Sequence, residues 1–140
     1  MNTSSNTANV TEMAYMFGGC WGIKTLDLSN FDTANATNMA HMFNGCTIKA
    51  LDLSSFNTAN VTNMHGMFKA CYNIRSLDLS SFNITRVKTM SSMFEGCEKL
   101  TTLHVNNWNT SSINTESMFA DCPLAQKIVS AILSCETVST

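Results

Sequence analysis

Five cysteines, Cys20, Cys46, Cys71, Cys97 and Cys122, follow one another at intervals of 26, 25, 26 and 25 residues. A Met-Phe pair precedes each of them: Met16-Phe17, Met42-Phe43, Met67-Phe68, Met93-Phe94 and Met118-Phe119. The first four are followed by an alternating segment: Leu26-Asp27-Leu28-Ser29, Leu51-Asp52-Leu53-Ser54, Leu77-Asp78-Leu79-Ser80 and Leu103-His104-Val105-Asn106. A period of this length predicts stacked supersecondary units, because one such unit cannot bury its own apolar side and must lay it against the next.

Within a unit two periodicities alternate. Val10, Met13, Met16 and Phe17 fall three, three and one residues apart, which predicts one face of a short helix, with Asn9 and Glu12 as its N-terminal cap. Ala36-Met39-Met42-Phe43, Val61-Met64-Met67-Phe68 and Val87-Met90-Met93-Phe94 repeat that face. Each such helix is too short to stand alone, so packing must hold it. The Leu-x-Leu segments have the period of two of a half-buried strand, with Leu26 and Leu28 inward and Thr25, Asp27 and Ser29 outward. One strand and one helix per unit imply a single parallel sheet. Phe31, Phe56, Phe82 and Trp108 plug the corner after each strand, and Asp32-Thr33, Asn57-Thr58 and Asn109-Thr110 follow with turn chemistry. Pro123 opens an amphipathic stretch to Cys135, expected to be a longer capping helix. The domain organisation expected is a repeat array over 1–122 and a cap and tail over 123–140.

Phe68-Lys69-Ala70-Cys71-Tyr72-Asn73-Ile74-Arg75-Ser76-Leu77-Asp78-Leu79 fits the pattern Phe-x-x-Cys-x-x-Leu-x-x-Leu-x-Leu and resembles the BspA-like leucine-rich repeats. Residues 51–68, Leu-Asp-Leu-Ser-Ser-Phe-Asn-Thr-Ala-Asn-Val-Thr-Asn-Met-His-Gly-Met-Phe, are similar to the 25–26-residue repeat of bacterial surface proteins, including Mycoplasma lipoproteins. The resemblance spans about residues 6–124. With the periodicities it gives the expected fold class: an α/β, right-handed leucine-rich-repeat-like solenoid with one short parallel strand and one short helix per coil and a C-terminal capping helix. It also implies surface display or adhesion, hence an extracellular or cell-surface location. It supplies no catalytic or ligand residues to transfer.

The net charge of −2 and 13% charged residues leave no basic face for a nucleic-acid backbone. No apolar run approaches the roughly 20 residues of a membrane span, so no membrane insertion is expected. The first residues have neither the basic start nor the apolar core of a secretory signal. Ser5 stands where later units carry their corner aromatic, which suggests a chain entered in mid-unit: a piece of a longer array, or a mature chain without its export signal. An open N-terminal unit would invite a homodimer.

Candidate chemistry is sparse. The cysteine column reads as buried free thiols, with a Cys122–Cys135 disulfide and metal ligation as the lesser alternatives. Eight of the ten methionines sit on the predicted helical faces, where thioethers fill gaps between units. Asp27, Asp52, Asp78 and His104 form an outward column flanked by Thr25, Ser76 and Thr102 on one side and Ser29, Ser54 and Ser80 on the other. Like charges one strand spacing apart need hydrogen bonds from neighbouring hydroxyls, a raised carboxyl pKa or a bound cation. A triad of Ser80, His104 and Asp78 can be drawn, but no nucleophile elbow precedes Ser80. His41 and His65 are expected at the surface. Thr7, Thr33, Thr58 and Thr110 form a turn ridge interrupted by Ile84. That ridge reads first as stacked turns and second as a flat array matching ice or glycan.

These features predict a non-catalytic recognition or adhesion scaffold without cofactor or metal, meeting a protein or glycan through Thr25, Asp27, Asp52, Ser76, Asp78, Thr102 and His104. The alternatives are an ice- or crystal-surface-binding protein that uses the threonine ridge and a structural spacer in a surface stalk.

Overall fold

The computed structural model describes residues 6–126 and 137–139. The leucine-rich-repeat-like solenoid of helices and strands is not what they form. Among them there is no α-helix, and the ordered elements are β1 (Ser76–Asp78), β2 (Thr102–His104), a 3-10 helix over Pro123–Gln126 and β3 (Thr137–Ser139). β1 and β2 pair in parallel, with Leu77 beside Leu103 and Asp78 beside His104. β3 pairs antiparallel with the other edge of β2.

The unit-to-unit register is present without those elements. Isolated parallel bridges join Glu12 to Asn38, Asn38 to Asn63, Asn63 to Thr89 and Thr89 to Asn114. The segments expected as helices are runs of tight turns. Met16 N–H bonds to the Met13 carbonyl and Cys20 N–H to the Phe17 carbonyl, each three residues back. The N–H groups of Met13, Tyr15, Phe17 and Gly19 leave the unit altogether, donating to the carbonyls of Asn38, Ala40, Met42 and Asn44. The four-residue bonds of an α-helix therefore cannot form. Left-handed residues complete the break: Tyr15 (φ 59°) and Gly19 (φ 66°) here, with His41, Gly66, Ser92 and Ser117 at the matching place in later units. Asn9–Glu12 is not a cap either, since Glu12 accepts instead from the Asn38 side-chain amide at 3.0 Å.

The core is the expected one. Met13, Met39, Met42, Met64, Met67, Met90 and Met93 are fully buried, although Met16 is partly exposed. Phe17, Phe43, Phe68, Phe94 and Phe119 stack ring on ring with centroids 5.2 to 5.8 Å apart. A second stack, Phe31, Phe56 and Phe82, has spacings of 6.4 and 6.3 Å. The thiols of Cys20, Cys46, Cys71, Cys97 and Cys122 are free, and all but Cys20 are buried. Cys71 and Cys97 donate to the carbonyls of Phe43 and Phe68 in the preceding unit. The capping helix expected over 123–135 begins as the short 3-10 turn. Its remainder, with Cys135 and the Cys122–Cys135 pairing, lies outside the described residues.

Candidate recognition surface

Three columns of short polar side chains fix the backbone of each unit. Asn6, Asp32, Asn57, Asn83 and Asn109 each accept the N–H two residues on through their side-chain oxygen. Asn38, Asn63 and Asn114 do the same for Ala40, His65 and Glu116. The third column is the aspartate one. In Asp27, Asp52 and Asp78, Oδ1 accepts the backbone N–H of Ser29, Ser54 or Ser80 at 3.0 Å and that serine's hydroxyl at 2.6 Å.

This settles how the carboxylates tolerate one another. The serine hydroxyl first, and the serine N–H second, hold all three carboxyls below the ordinary range. Mutual repulsion acts on Asp52 in the opposite sense, from Asp27 and Asp78, but does not prevail. The raised pKa offered by the sequence is therefore corrected to a lowered one. The compensating hydroxyls are Ser29, Ser54 and Ser80, not Thr25, Ser76 or Thr102. Thr25 and Ser76 are exposed, Thr102 is half-buried, and Asp27, Asp52, Asp78 and His104 are exposed on one side of the chain. The same bond disposes of the triad, because Ser80 gives its proton to Asp78 rather than to an imidazole. Among the described residues no three His, Cys, Asp or Glu side chains are grouped to hold a metal ion.

The strand ladder closes where Asp78 faces His104. Where aspartate follows aspartate there is no ladder. The Ser55 and Ser81 hydroxyls tie the units there by donating to the carbonyls of Leu28 and Leu53, and clefts lie beside them. One of about 200 Å³ lies between Asp27 and Asp52, and one of about 260 Å³ between Asp52 and Asp78. Like charges directly opposite each other destabilise a strand pair, so the step from carboxylate to imidazole is where pairing is least opposed. The four strands expected from the Leu-x-Leu pattern are thereby reduced to two.

The threonine ridge is turned inward. Thr7, Thr33 and Thr58 are buried. Each hydroxyl donates to a carbonyl in the next unit (Asp32, Asn57, Asn83) and accepts the N–H of that same residue at 2.8 Å. These hydroxyls staple unit to unit and are not offered to ice or glycan; Thr110 is half-buried. His41 and His65 are also more enclosed than expected. Tyr15 stacks on His41 at 4.6 Å, His41 meets His65 edge-on at 4.7 Å, and His65 Nδ1 lies 2.5 Å from the Ser91 hydroxyl. Burial, then the charges of His65 and Lys69, pushes the His41 pKa down.

One place that the sequence marks only as a break in the threonine ridge stands apart. Ile84 occupies the stapling threonine's position, so the bond pair that ties Asp32, Asn57 and Asn83 has no counterpart at Asn109. A cleft of about 460 Å³ opens there between Phe82–Val87 and Asn106–Ile113. Trp108, in the corner aromatic column, is fully buried in its wall, and its Nε1–H has no acceptor among the described residues. An unmet buried donor of this kind costs roughly 1–3 kcal/mol. The readable signal was the coincidence of two breaks in the repeat, Thr to Ile at 84 and Phe to Trp at 108.

A family model described as Mycoplasma protein of unknown function, DUF285, matches residues 11–132. No curated protein and no solved structure matches the chain. Among the described residues no helix is long and apolar enough to cross a membrane.

Proposed function

We propose, from the premise that this chain belongs to the DUF285 family of Mycoplasma proteins, that it is a non-catalytic recognition scaffold displayed at the cell surface. Its contact face is the aspartate column, and its partner is a cationic protein segment. The observation that supports this is the set of three exposed carboxylates, Asp27, Asp52 and Asp78, each locked by a serine two residues on and kept ionised. Locked side chains lose little freedom on binding, and a row of one charge sign selects its complement and raises the association rate. Clefts between successive carboxylates give side chains of the partner somewhere to enter.

The test is titration of a fluorescent arginine- and lysine-rich peptide against the parent protein and the triple variant Asp27→Asn, Asp52→Asn, Asp78→Asn. The expected outcome is affinity that falls with added salt and drops at least tenfold in the variant. Equal affinity of the two proteins removes the acidic face from consideration. Protease treatment of intact cells, with cleavage followed by antibody, checks the surface location.

Exposed aromatic surface in the first unit supports self-association as well. Tyr15 and Trp21, 59% and 76% exposed, lie in the same unit. Sedimentation equilibrium across a dilution series checks this homodimer, with Trp21→Ser expected to weaken it. A monomer at every concentration ends the idea.

A further inference from the structure

The corner cleft at Ile84 and Trp108 differs in chemistry from the acidic face. None of its lining residues is ionisable under ordinary conditions. Asparagine amides at 83, 106, 107 and 109 and several hydroxyls share its wall with Phe82, Ile84 and Trp108. Its volume of about 460 Å³ falls in the range of small-molecule sites. Amides and hydroxyls arranged around apolar and aromatic surface suit a ligand that has hydroxyl edges, an apolar face and no charge.

We propose that this cleft is a separate binding site for a neutral saccharide. The side-chain amides of Asn106 and Asn107 bond its hydroxyls, and Phe82 and Ile84 meet its C–H face. Asn83 and Asn109 hold the two rims, their side-chain oxygens fixed on the N–H groups of Thr85 and Ser111. Trp108 lies buried in the wall, with an indole N–H for which the described residues provide no acceptor. The site exists because the repeat is broken. A threonine at 84 would tie Asn109 to the preceding unit, as Thr58 ties Asn83, and draw the two rims together.

The proposal is independent of the acidic column, and one set of titrations separates them. Only Trp21 and Trp108 are present, so in a Trp21→Phe background the tryptophan emission reports Trp108 alone. The probes are neutral hexose and N-acetylhexosamine trisaccharides, with a sialylated trisaccharide as the charged comparison. At least one neutral probe is expected to shift that emission saturably. Ile84→Thr is expected to weaken it tenfold or more without lowering the melting temperature, and Asn106→Ala to weaken it several-fold. The Asp27→Asn, Asp52→Asn, Asp78→Asn variant is expected to bind the sugar as the parent does. The proposal is overturned if no neutral trisaccharide binds, if the sialylated one binds more tightly, or if Ile84→Thr and Asn106→Ala bind unchanged. Loss of sugar binding in the triple aspartate variant overturns it too, by moving the site to the acidic face.

Discussion

A single hydroxyl decides whether two neighbouring units are tied at their corner. Thr58 is 1% exposed and serves both the N–H and the carbonyl of Asn83. Thr58→Val keeps the shape and strands both groups, so a loss of roughly 1–3 kcal/mol is expected in urea denaturation. Ile84→Thr should do the reverse at Asn109 and gain about 1 kcal/mol. The thiols give a pH prediction. Burial pushes the Cys97 thiol from 9.0 up to about 12 and raises Cys71 further. Above pH 9 the unfolded chain releases these protons while the folded one keeps them, so this contribution is complete below pH 9 and declines as pH rises toward 12. Stability measured between pH 8 and 11 should fall, and less steeply in Cys97→Ala than in the parent, each against its own starting value. The aspartates act at the other end: their lowered carboxyls stabilise the fold above the ordinary carboxylate range, and that is lost as pH falls through their folded values. Ser54→Ala should move the Asp52 titration, followed by NMR, upward.

At the scale of the element, the sequence was legible in its register and not in its hydrogen bonding. The spacing of Met39, Met42 and Phe43 correctly marks which side chains are buried, because a helix and a chain of three-residue turns both return to the same side every three or four residues. What separates the two is where the backbone N–H groups go, and here alternate ones cross to the next unit. The Leu-x-Leu segments were read correctly for direction, with Leu28, Leu53 and Leu79 in and the aspartates out. The ladder is confined to Ser76–Asp78 and Thr102–His104, which period alone does not reveal. Left-handed positions were also invisible, because no residue type marks them in every unit: Gly19 and Gly45 are matched by Ala70 and Gly96. Ala70 holds φ 59°, a conformation that costs a residue with a side chain roughly 1 kcal/mol or more. Ala70→Gly is therefore expected to stabilise by about 1 kcal/mol, read from the denaturation midpoint. Gly66→Ala should do the opposite, since a Cβ there would stand 2.6 Å from the His41 ring at φ 60°.

For the molecule as a whole, a stack in which each unit touches mainly its two neighbours makes the position of a lesion matter as much as its chemistry. Phe68 and Phe17 belong to the same aromatic column and are both buried. Phe68 lies between Phe43 and Phe94, 5.6 and 5.8 Å away, so removing it opens two unit interfaces. Phe17 stacks within its column on Phe43 alone, with Phe31 tilted against it at 5.6 Å. Loss of a buried phenylalanine typically costs about 3–5 kcal/mol. Phe68→Ala is expected at or above the top of that range and Phe17→Ala at or below the bottom. The two should also differ in kind. Phe17→Ala leaves the later units stacked, so hydrogen exchange should speed up at Met13–Gly19 while amides of Val87–Gly96 stay protected. Phe68→Ala weakens the middle, and exchange should rise on both sides of it. Equal costs with uniform exchange in both variants would mean that the units fold as one indivisible body, and that the neighbour-to-neighbour description fails.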